Sequence, residues 1–103
     1  MNEKFCITGN AKTRDVFIEG IKLSPAQSLK VLNKSPDGFA WGYAGSGPSQ
    51  LAIAILLALT GNEKFAKRHY QDFKDLYITK LSIDKDFELD INDVNNWINS
   101  QKE

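Results

Sequence analysis

"GSGPSQLAIAILLALTG", residues 45–61, is the stretch on which the fold turns. Leu51, Ile53, Ile55, Leu56, Leu57 and Leu59 fall on all sides of a helical wheel, so a helix here has no polar face. Such a helix has to be covered on nearly every side. A chain of 103 residues has room for one core, and this helix is its centre. Pro48 suits the first helical position because its missing N–H has no helical partner there, with Gly47 as the N-cap and Gly61 as the stop.

Working outward toward the start of the chain, "KFCITGN" and "VFIEGIKL" carry the β-branched and aromatic residues that suit a pleated surface. The polar "NAKTRD" between them makes the pair a hairpin. Ser24 followed by Pro25 is a helix start, and Leu29 and Leu32 give an apolar face to a short helix over about 25–33, which "NKSPDG" ends. Phe39, Trp41 and Tyr43 alternate with Ala40 and Gly42, which predicts a third strand.

Toward the end of the chain, Asn62 caps a predicted helix over about 63–81 whose apolar stripe is Ala66, Tyr70, Phe73, Tyr77 and Leu81. "FEL" reads as a short strand. Asp90 then caps a final helix with Ile91, Val94 and Ile98 on one face and Trp97 beside it. The expected architecture is α+β: one domain over residues 1–103, a few-stranded antiparallel sheet and about four helices, one of them fully apolar and central.

Thirteen basic and 13 acidic residues give a formal net charge of zero, which argues against a nucleic-acid polyanion or a membrane surface as the partner. Cys6 is the only cysteine, so an intramolecular disulfide and a thiolate metal cluster are both excluded. The opening "MNEKFCITGN" has no apolar core of signal-peptide length and the run Leu51 to Leu59 is too short to cross a bilayer, so a cytoplasmic location is expected.

Two constellations carry a binding reading. At the start of the central helix, Gly45, Ser46, Gly47, Ser49 and Gln50 combine free backbone N–H groups with side-chain donors, and Trp41 and Tyr43 precede them as stacking rings. These are candidate ligand-binding residues for a small anionic, nucleotide-like molecule. The spacing fits neither the P-loop nor the dinucleotide pattern. The plain architectural reading is that Gly45 and Gly47 take backbone angles closed to other residues and that Trp41 and Tyr43 are core. Lys64, Lys67 and Arg68 recur at helical spacing and form a candidate partner-binding face for a host protein or an acidic group.

Enzyme chemistry has little support. His69 is the only histidine and sits at the edge of an apolar stripe, so it makes no triad and reads as structural. "DKDFELDIND" spaces its acids at 84, 86, 88, 90 and 93, but Leu89 and Asn95 stand where an EF-hand needs glycine and glutamate. No catalytic residue, metal site or cofactor is expected.

"SLKVLNKSPDGFAWGYAGSGPSQLAIAILL", with "HYQDFK" at 69–74 and "NNWI" at 95–98, resembles a family of small bacterial and phage proteins, a domain of unknown function whose hallmark is close to "GF-x-WGYGGSGPAQLALA". The resemblance spans roughly residues 20–98; Ala44 stands where that family has glycine and Ser49 where it has alanine. It implies a phage or mobile-element setting, in which small proteins interfere with host defence. The leading expectation is a non-enzymatic anti-defence protein that sequesters a nucleotide-like signal at 45–50. The alternative is an inhibitor that binds a host defence enzyme by surface contact.

Overall fold

Four short strands form one antiparallel sheet in the computed structural model, which describes residues 6–36 and 38–102. β1 (Cys6–Gly9), β2 (Val16–Ile18) and β3 (Ile21–Lys22) follow one another, and β4 (Phe87–Asp90) returns from the far end of the chain to pair with β1 in the order β3-β2-β1-β4. The expected hairpin is β1 and β2, although Lys4 and Phe5 of its first strand lie outside the described residues. Its second strand, expected as one run over 16–23, instead breaks at Glu19 and Gly20, both at positive φ, and folds back on itself as β2 and β3. The turn is held by Asn10, whose Oδ1 accepts from the N–H groups of Lys12 and Thr13 at 2.9 and 3.2 Å.

Register decides what faces inward. Ile7 stands opposite Ile18 and Leu89, and Gly9 opposite Val16 and Phe87, so these residues share the face on which the helices lie. A side chain at Gly9 would run into the Phe87 ring, its Cβ only 2.2 Å from the nearest ring carbon. The missing side chain leaves room for the Phe87 ring, which is buried in the core.

The helices are α1 (Ala26–Val31), α2 (Ser46–Thr60), α3 (Glu63–Phe73) and α4 (Ile91–Gln101). Their ends follow the local signals. Asn62 Oδ1 caps α3 by accepting from Phe65 N–H at 3.0 Å, and Asp90 Oδ1 caps α4 by accepting from Asn92 N–H at 2.8 Å. The N-cap of α1 is Pro25 and not the expected Ser24, whose Oγ accepts from Ala26 N–H at 3.1 Å one residue ahead of it. Gly61 takes the left-handed conformation, φ +64°, and its N–H returns to Leu57 O. α2 is buried from Gly47 through Leu56 and packs chiefly against α3, with α1 beside it. One cluster of buried side chains joins sheet and helices, and the architecture is α+β.

Three further expectations are corrected here. Residues 39–43 form no strand: Phe39 and Trp41 are buried and Tyr43 is exposed, but Gly42 turns at φ +89° and its N–H bonds to Ile78 O in a loop. The alternation there records burial of loop anchors and not strand pairing. The central helix begins at Ser46 with Gly45 as N-cap, so Pro48 is its third residue, still among the N–H positions that have no helical partner. The helix expected over 63–81 stops at Phe73 and gives way to a π-helical turn, Lys74–Ile78, in which Thr79 N–H bonds to Lys74 O at 3.0 Å. The extra residue rotates the stripe, so that Ile78 is fully buried and Tyr77 only half-buried.

Candidate functional site

The chain around the start of α2 is organised by Tyr43 and Gly42. The Tyr43 ring lies over the glycine turn: a Cβ at Gly45 would be 2.5 Å from its edge, and one at Gly47 would be 2.7 Å from Ala40 Cβ and 3.3 Å from the Tyr43 hydroxyl. Gly45 has φ −169°, extended backbone open to any residue, so the expectation of forbidden angles at Gly45 and Gly47 is corrected. Close packing is what their missing side chains permit. The positive angle belongs to Gly42, where a Cβ would also stand 2.5 Å from the Ile83 backbone.

Most polar groups of this stretch are turned inward. Trp41 is fully buried; its Nε1–H donates to Lys85 O at 3.0 Å, and its ring meets Phe87 edge-on at 4.7 Å. Ser49 Oγ donates to Gly45 O at 2.9 Å. Gln50, also fully buried, uses its whole amide: Oε1 accepts from Lys34 and Ser35 N–H at 2.6 and 2.9 Å, and Nε2 donates to Ser28 Oγ and Leu32 O at 2.9 and 3.1 Å. It ties α2 to the end of α1 and the loop beyond, satisfying groups that a short helix leaves without partners. Of the seven residues singled out here, Tyr43 and Ser46 are at the surface, Gly45 is partly exposed, and Trp41, Gly47, Ser49 and Gln50 are inside.

The basic face of α3 is arranged differently. Lys64, Lys67 and Arg68 are exposed, and among the described residues none lies within ion-pairing distance of a carboxylate. On the adjoining stripe Phe65 and His69, one helical turn apart, place their rings 4.4 Å apart at a tilt of 38°. Trp97 of α4 meets His69 edge-on at 6.4 Å and lies 5.4 Å from Phe73, so an aromatic row ties α3 to α4. A shallow cleft of about 370 Å³ opens between Lys64, Phe65, Arg68, His69 and Asn62 on one side and Gln101 on the other.

The structure thus brings Lys64 and Arg68 together at one cleft and leaves Lys67 on the outer surface beside it. Sequence reasoning did not place His69, Asn62 or Gln101 there. The Phe65 to His69 spacing was a signal for the ring pair, but the approach of Gln101 depends on how α4 packs and has no local signature.

Such a cleft can take an anionic group: two cations with no carboxylate in ion-pairing distance among the described residues, an aromatic pair, and amides at its edge. Among the described residues no group of three His, Cys, Asp or Glu side chains is placed to hold a metal ion, and no helix is long and apolar enough to cross a membrane. Tyr77, at the far end of the aromatic row, has its phenol pKa pushed up from the ordinary value, first by burial and then by the carboxylate of Asp93.

No curated protein and no solved structure matches the chain. The chain belongs to DUF6166, a family of unknown function, which matches it over residues 6–100.

Proposed function

We propose that this member of DUF6166 is a non-enzymatic binding protein that engages an acidic segment of a partner protein at the cleft between α3 and α4. The observation that carries the reading is the pair Lys64 and Arg68, exposed and without a carboxylate partner among the described residues, beside the tilted ring pair of Phe65 and His69. In a protein of zero net charge this is a local excess of positive charge, and such an excess steers and orients an acidic partner. The partly exposed His69 ring, with buried Phe65 packed against it, adds apolar contact next to the charges, which is how interfaces combine orientation with affinity. In the phage or mobile-element setting implied by the motif resemblance, the partner is a host defence protein and the protein is its inhibitor.

The other seat, a nucleotide-like anion at the start of α2, has in its support the exposed Tyr43 and Ser46. It is the weaker reading because Trp41, Ser49 and Gln50 already use their donors internally. Calorimetric titration with a polyglutamate peptide tests the choice. The reading expects binding that falls about tenfold or more in Lys64→Glu/Arg68→Glu and weakens with salt. Equal affinity in the variant would reject the cleft.

A further inference from the structure

The helical layer does not reach the edge of the sheet. Ile7, Ile18 and Ile21 stand side by side on one face across β1, β2 and β3, and exposure rises along that row from 0% at Ile7 to 73% at Ile21. Two residues on, Leu23 lines a groove of about 350 Å³ between α1 and the last turns of α2. Ala54, Leu57, Ala58 and Val31 also line it, so the apolar helix presents part of its surface here, with Ala58 exposed. Lys30 on the α1 side and Glu63 on the α3 side stand beside the groove. Both are exposed, and neither has an ion-pair partner among the described residues.

We infer that this surface binds a second copy of the chain in a twofold-symmetric dimer, with Ile21 of each copy seated in the groove of the other and Lys30 of each copy facing Glu63 of its partner. A twofold interface needs a surface that complements itself, so that each contact occurs twice with the roles exchanged. A projecting isoleucine beside a groove, and one cation with one anion on the groove's two sides, meet that requirement. Zero net charge adds no long-range repulsion between copies. The groove and the cleft between α3 and α4 share no lining residue, but Gly61 and Glu63 of the one alternate with Asn62 and Lys64 of the other; Ile21 and Ala58 do not line the cleft, so substitutions there test dimerisation apart from the binding reading.

Sedimentation equilibrium on the full chain, from micromolar to submillimolar concentration, tests the inference. The wild type is expected to dimerise reversibly, and Ile21→Asp and Ala58→Glu, both at exposed positions, to remain monomeric with an unchanged circular dichroism spectrum. Lys30→Glu and Glu63→Lys, each creating two like-charge contacts across the axis, are expected to weaken the dimer about tenfold, and the double reversal Lys30→Glu/Glu63→Lys to restore it. A wild type that stays monomeric over the whole range would overturn the inference. So would a dimer indifferent to Ile21→Asp and Ala58→Glu, or single reversals that the double reversal does not rescue.

Discussion

The guanidinium of Arg14 lies 4.6 Å from the centre of the Trp41 ring, and its Nη2 donates to the Ile83 carbonyl at 2.7 Å. Trp41 in turn donates to Lys85 O, and Ala11 N–H donates to the Asp86 carboxylate at 2.7 Å. The β1–β2 turn and one buried ring therefore hold the loop leading into β4. Arg14→Ala removes the stacked cation and the hydrogen bond together and is expected to destabilise by about 1–3 kcal/mol. Urea unfolding measures it, with Arg14→Lys intermediate because an ammonium lacks the planar fork.

The glycines of the turn differ in kind. Gly42→Ala is expected to cost about 3 kcal/mol or more, since φ +89° is strained for alanine and the new Cβ meets the Ile83 backbone. Gly45→Ala meets only the edge of an exposed ring and is expected to cost about 1 kcal/mol, less in a Tyr43→Ala background. A double-mutant cycle by thermal unfolding checks the coupling; strict additivity would show that the ring does not limit position 45.

Gln50→Leu leaves the Lys34 and Ser35 N–H groups and the Leu32 carbonyl without their partner. A loss of about 3 kcal/mol is expected. Amide exchange should accelerate at Lys34 and Ser35 ahead of the rest of the fold, which distinguishes a lost tether from a general loss of packing.

Tyr77 supplies a pH dependence. Its pKa is raised in the folded protein, so its contribution to stability is complete below the ordinary phenol value of 10.0 and is lost as pH rises through the folded value. Stability should fall on the alkaline side of 10.0, and Tyr77→Phe should flatten that fall, as followed by urea midpoints across the alkaline range. An unchanged slope would place the dependence on another group.

These features were unequally legible. Asn62, Gly61 and Asp90 act on backbone groups within a few residues, so their roles could be read from the chain alone. The apolar character of α2 likewise announced its burial. What required the assembled structure depends on contacts distant in sequence. Phe39 and Trp41 looked like a strand because a loop that alternately buries its side chains has the same period as a strand. Pairing with β1 comes instead from Phe87–Asp90, whose register no local pattern encodes. Gln50 looked like a ligand donor because an amide in a first helical turn usually faces solvent; its partners, at positions 28 to 35, appear only when α1 packs on α2. The π-helical turn was hidden by an apolar stripe that an ordinary helix also satisfies. At the cleft, Lys64 and Arg68 were readable as a face, whereas its far wall, Gln101, belongs to another helix.

The binding reading is tested most directly by nitrogen–proton correlation spectra of the isotope-labelled chain during titration with a polyglutamate peptide. The expected result is saturable shifts centred on Lys64, Phe65, Arg68, His69 and Gln101, abolished in Lys64→Glu/Arg68→Glu while the dispersion of the spectrum is kept. Shifts confined to Tyr43 through Gly47, or no saturable shifts at all, would contradict it.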